Sequence, residues 1–164
     1  MERNNLLIVV EKLIKENYFH CEWGIEWLEQ RHYLELIFQF NLSNPNQFEL
    51  IDIYGNLCNQ NLVPFEVRAI IYDEELIKVE GKHYLKKVPV SRDTGIMYGE
   101  LFAIIRYLKV LTAEVPLKWT EYLANIPMAR FSIEWREDEF QKMRETLVNT
   151  SRYSESQVFF PQFN

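Results

Sequence analysis

His20, Cys21 and Glu22 are consecutive side chains of the kinds that ligate zinc, and their adjacency argues against it. Neighbours on an extended chain point to opposite faces, so His20 and Glu22 can share a side but Cys21 cannot join them. A tetrahedral site would need His32 or His83 to arrive through folding. Cys58, the other cysteine, has no CxxC partner, flanking glycine motif or orienting base to make it a nucleophile. Gly95 and Gly99, around Met97-Tyr98, lack the lysine of a phosphate loop and the spacing of a dinucleotide fingerprint; they read as helix entry and close packing. The better candidates are Glu22, Glu26 and Glu35, three carboxylates on one face of a hairpin, where clustered negative charge raises a pKa or binds a cation. A solvated outer face explains them more simply. No catalytic residue, metal ligand or cofactor is therefore assigned, which weighs against an enzyme without closing the question.

The hairpin that positions these carboxylates runs from Tyr18 to Phe40. Trp23, Ile25 and Trp27 fall on one face and Glu22, Gly24 and Glu26 on the other, and Leu34, Leu36, Phe38 and Phe40 repeat the pattern on the second strand. The aromatic face needs helices to cover it. Leu6, Val10, Leu13 and Ile14 give an amphipathic helix over residues 5–17. Asn41 to Asn46 reads as a turn-rich linker, and residues 47–61 fit neither a helix nor a strand cleanly. A strand starts near Phe65, with Pro64 at its start or on an edge, and Asp73-Glu74-Glu75 turns the chain into a short extended piece at Ile77–Glu80. Asp93-Thr94 is placed to cap the helix carrying Met97, Leu101, Ile104, Ile105, Leu108 and Leu111. Pro116 is expected to open a second helical piece, which Pro127 ends. Ala129 to Trp135 alternates as a last strand, and Glu137-Asp138-Glu139 suits the first turn of a final helix through about Val148.

One core is sufficient for 164 residues, and a 48% hydrophobic, 15% aromatic composition supports a packed body. A net charge of −6 opposes broad attraction to phosphates or anionic lipid, so neither nucleic acid nor a membrane is expected as a partner. Lys82, Lys86 and Lys87 form the densest basic cluster, but Glu74, Glu75 and Glu80 stand close before it, as on a mixed-charge edge. The apolar run near the N-terminus is broken by Glu11 and Lys12, too soon to span a bilayer, and the two cysteines read as reduced thiols of a cytoplasmic protein.

The C-terminal segment 154–164 ends in Phe159, Phe160 and Phe163 after a serine-rich approach and is treated as a mobile aromatic tail. Those phenylalanines either cover an open part of the core or dock on another molecule, a protein partner or a second copy of the chain; packing on the chain's own core is the preferred reading.

Glu22-Trp23-Gly24-Ile25-Glu26-Trp27, a polar turn, then His32-Tyr33-Leu34-Glu35-Leu36 resembles the N-terminal region of domain-of-unknown-function family 3013 of Gram-positive bacteria. Phe65-Glu66-Val67-Arg68-Ala69-Ile70-Ile71-Tyr72-Asp73 is similar to its next strand. The resemblance implies a small bacterial cytoplasmic α+β protein and supplies no catalytic residues.

Together these readings give a single α+β domain over residues 1–164: a mainly antiparallel sheet of about four to six strands against an early helix, a long central helical region and a C-terminal helix. The functional expectation is a noncatalytic interaction or regulatory module. The alternative is a small-molecule-binding protein or enzyme with a pocket between sheet and helices.

Overall fold

The computed structural model describes residues 5–28, 30, 32–80, 83–125 and 130–161. Asn5 caps α1 (Leu6–Asn17) by accepting the Leu7 N–H at 2.9 Å, and the apolar stripe Leu6, Val9, Val10, Leu13 and Ile14 is buried. The hairpin follows as β1 (Glu22–Leu28) and β2 (Tyr33–Ser43), paired antiparallel with Trp23 opposite Phe38 and Trp27 opposite Leu34. β2 runs on through Ser43, so the expected linker at Asn41 is corrected: Asn41, Leu42 and Ser43 pair with Pro64, Val63 and Leu62. Residues 47–61 contain a minimal hairpin, β3 (Leu50–Ile51) and β4 (Leu57–Cys58), turned at Gly55 in the left-handed region.

β5 (Leu62–Asp73) and β6 (Lys86–Val90) complete a four-stranded sheet of order β1-β2-β5-β6. β6 runs parallel to β5, so the antiparallel character is not complete. β2 and β5 share one unbroken register, which places Leu34, Leu36, Phe38, Val63, Phe65, Val67, Ala69 and Ile71 together on the face that the helices cover.

The backbone of β5 alternates with equal regularity. The Asn61 carbonyl accepts the Asn44 N–H at 2.7 Å and the Asp73 N–H donates to His32 at 3.1 Å, both on the β2 side, whereas the Arg68 carbonyl accepts the Leu85 N–H at 2.8 Å on the other. Odd residues of β5 therefore turn their peptide groups toward β2, and even residues turn theirs toward the β6 side.

The central helix differs from its sequence reading at both its start and its middle. After β7 (Ile96–Met97), α2 spans Tyr98–Ala124 without interruption, with Met97 rather than Asp93-Thr94 at its N-cap. No side-chain cap is needed, because the Tyr98 and Gly99 N–H groups donate to the Ser156 and Ser154 carbonyls at 2.8 Å each. Pro116 lies inside the helix and does not begin a new one. The neighbouring Val115 and Trp119 are buried, so packing holds the turn despite its missing hydrogen bond.

α3 (Glu137–Asn149) packs on α2 through Phe140 and Leu147. The chain then returns as β8 (Gln157–Val158), paired with β7. Gly99 makes this return possible, since a Cβ there would stand 2.6 Å from the Tyr153 ring. Among the described residues no helix is long and apolar enough to cross a membrane.

Candidate functional site

β6 pairs with β5 only from Ala69 to Asp73, and Leu85 adds its one bond at Arg68. From Leu62 to Val67 no strand among the described residues neighbours that edge of β5. The segment expected as a last strand lies alongside it but is not hydrogen-bonded as one: residues 131–136 belong to no helix or ladder, which corrects the strand reading, while Ala129 lies outside the described residues.

Aromatic anchors explain why this segment stands off. Phe131 packs on Phe65, Trp119 and Tyr122 with ring centroids 4.9, 5.2 and 5.4 Å apart. Trp135 meets Tyr107 edge-on at 4.7 Å and Phe140 at 4.9 Å, donates its indole N–H to Glu137 at 2.8 Å, and has the Lys86 ammonium 4.9 Å from its ring. With Phe131 beside Phe65 and Trp135 beside Lys86, the partner of Ala69, the segment runs in the same direction as β5.

Between them lies a groove of about 670 Å³. Its core-side wall is Phe65, Val67, Phe131 and Ile133; its outer wall is Glu66, Arg68, His83 and Tyr84; and Ile53 and Tyr54 stand at one end. Tyr54, Leu57 and Leu62, from the neighbouring hairpin and the start of β5, are 73%, 75% and 55% exposed.

The outer wall carries a closed polar network. Glu35 is only 6% exposed, which corrects its expected place on a solvated face. Its carboxylate accepts from Arg68 Nη1 at 2.6 Å and from the Tyr84 hydroxyl, and Arg68 Nε donates to Glu66 at 2.6 Å. Burial follows because Tyr84 reaches over this face, where Ile37 and Ile70 are also covered. The hydrogen bond to Glu66, more than that to Glu35, holds the Arg68 guanidinium protonated well above its ordinary value. Burial, then the bond to Glu35, pushes the Tyr84 phenol well above the usual tyrosine range. Neither group exchanges a proton near neutral pH. Glu26, directly opposite Glu35, and Glu22 remain exposed on β1.

The other candidates do not converge on this groove. Cys21 is half-buried, and burial pushes its thiol up to about 11. Cys58 is half-buried on β4, and His20 is exposed. Among the described residues no group of three or more His, Cys, Asp or Glu side chains is placed to hold a metal ion. Gly95 has φ +67° and lies against Val158, whose carbonyl a Cβ would meet at 2.2 Å. Lys87 sits on β6; Lys82 lies outside the described residues.

Of the aromatic tail, Phe160 is buried, stacked on Trp27 at 6.0 Å with Arg92 over its ring, and Phe159 is half-buried with its carbonyl accepting the Leu6 N–H at 2.8 Å. Phe163 lies outside the described residues. Arg68, Tyr84 and the segment from Arg130 to Trp135 were given no functional role by sequence. The signals present were Pro64, which marks an edge, and the alternation of residues 131–135.

The model of the family described as protein of unknown function (DUF3013) matches residues 1–162. The chain belongs to that family. A DUF3013 chain of this fold is similar to a crystal structure of a conserved protein of unknown function from Enterococcus faecalis, with a TM-score of 0.82 and 22% identity over 96% of each chain. That likeness shows the fold. No curated protein matches the sequence.

Proposed function

We propose that the chain is a noncatalytic cytoplasmic interaction module of bacterial origin that holds its partner in the groove along β5. The observation that carries this reading is the edge of β5 from Leu62 to Val67, which no strand among the described residues pairs, beside an apolar wall in a groove of about 670 Å³. The groups beside it support binding over acid–base work: Glu35, Glu66, Arg68 and Tyr84 are engaged with one another, and Arg68 and Tyr84 both hold their protons above their ordinary values. The exposed Tyr54, Leu57 and Leu62 at one end extend the apolar surface beyond what a small ligand would cover. Two free cysteines accord with a reducing compartment.

A small-molecule site is the second reading, favoured by Arg68, Tyr84 and His83 meeting in a volume within the usual ligand range of roughly 300–1,000 Å³.

Mapping with small organic probes such as phenol and isopropanol, followed by amide and side-chain chemical shifts, tests the site itself. Shifts should cluster on Val67, Arg68, Tyr84, Ser132 and Ile133. Clustering elsewhere, or none, would remove the groove from consideration.

A further inference from the structure

We infer that the occupant of the groove is an extended segment of a partner polypeptide, added as a strand to the free edge of β5. This rests on the groove being a binding site and goes beyond it, because the argument comes from backbone geometry. Even residues of β5 turn their peptide groups away from β2, so Pro64 and Glu66 direct theirs into the groove, where among the described residues no strand meets them. Pro64 has no N–H to offer, which leaves the Glu66 N–H and the Pro64 and Glu66 carbonyls as the groups a new strand would bond.

The two other free edges of the sheet are less suited. β1 carries the exposed Glu22 and Glu26, and β6 carries Lys86, Lys87 and Pro89, charges and a proline of the kind that discourage strand addition. The β5 edge, by contrast, lies in a groove walled on both sides by described residues.

Those walls specify the segment. Side chains of an added strand alternate, one set meeting Phe65, Val67, Phe131 and Ile133 and the other meeting the polar side at Arg68 and Tyr84. The partner segment is therefore apolar at every second position. Arg130 and Glu134 line the groove on the same side of their own segment, and no described side chain pairs with either. The Arg130 guanidinium lies beside Gly55, whose Cβ would come within 3.1 Å of Nη2, and Glu134 precedes Trp135 at the Lys86 end. Four residues of extended chain, roughly 13 Å, separate their positions. A carboxylate and an ammonium four residues apart on the polar face of the segment would complement them.

Two capped heptapeptides test this, Val-Asp-Val-Ser-Val-Lys-Val and its reverse Val-Lys-Val-Ser-Val-Asp-Val, which present the charges for the two strand directions. One of them should bind and slow hydrogen exchange of the Glu66 amide at least tenfold at saturation. Its counterpart N-methylated at alternate residues on the β5-facing side should bind at least tenfold more weakly, as should the parent peptide to Glu66→Pro. The melting curve and β-sheet circular dichroism of that variant show that it remains folded, and Arg130→Glu offers a second variant at an exposed side chain, expected to weaken the same peptide.

Several results would overturn the inference: neither peptide protecting Glu66 at millimolar concentration, undiminished binding of the N-methylated peptide, or Glu66 protection that appears without peptide as the chain dimerises. Peptide failure with organic probes still clustering in the groove would sink the strand alone. Failure of both would sink the groove with it.

Discussion

The Leu85 N–H meets the Arg68 carbonyl at 2.8 Å, and among the described residues this is the last backbone bond on that edge of β5 before the strand continues toward Leu62 with one side unpaired. The same strand is fully paired to β2 on its other side, so consecutive residues differ sharply in what their peptide groups do.

Proline substitution should expose that difference. Glu66→Pro removes an N–H that faces the groove and an ion pair to Arg68, and is expected to cost under about 1.5 kcal/mol. Val67→Pro removes an N–H bonded to β2 within the core, and is expected to cost about 3 kcal/mol or more. Urea denaturation of the two variants measures the contrast; equal losses would show that the alternation is misassigned.

The Glu35 carboxylate should matter more than an exposed hairpin glutamate. Glu35→Ala leaves the Tyr84 hydroxyl and one edge of Arg68 without their acceptor, for an expected loss of about 1–3 kcal/mol. Glu26→Ala, on the exposed strand opposite, should change stability by less than about 0.5 kcal/mol, or raise it slightly by relieving like-charge contact. Chemical denaturation of the two variants decides this.

Much of this arrangement was legible in the sequence. Period-two alternation identified the hairpin and the core side of β2, and three- to four-residue spacing identified α1 and the body of α2, because these patterns record burial on one face; α3 was marked by the acidic run at its first turn. What failed depended on distant chain. Glu35 alternates as a solvated residue, and nothing nearby announces that Tyr84 will cover it. Asp93-Thr94 has the chemistry of a cap, but the Ser154 and Ser156 carbonyls had already met the helix N-terminus from the other end of the chain. Residues 131–135 have a strand's alternation, yet the aromatic pockets that take Phe131 and Trp135 hold the segment beside β5 without joining it.

Tyrosine ionisation should destabilise the fold at alkaline pH. Burial, followed by the hydrogen bond to Glu139, pushes the Tyr107 phenol up to about 12 from its ordinary 10.0, so the folded chain keeps a proton that the unfolded chain releases. Stability from this group is present below about pH 10 and is lost as pH rises toward about 12. Tyr84 acts in the same direction. Melting temperatures across that window should fall less steeply for Tyr107→Phe than for the parent.

The Cys21 thiol should be unreactive. With its pKa pushed up to about 11 by burial, about one thousandth of it is thiolate at pH 8. In a Cys58→Ser variant, reaction with a disulfide reagent should be slow and should rise about tenfold per pH unit. Fast, pH-independent labelling would show an accessible thiolate.

A photo-crosslinking residue placed at Ser132, in the groove, or at Tyr18, which is 77% exposed and outside it, tests the central claim in the cell. Position 132 should give a discrete polypeptide adduct whose crosslinked peptide, read by mass spectrometry, alternates apolar residues, and position 18 should not give it. No adduct from position 132, or the same adducts from both positions, would contradict a binding site along β5.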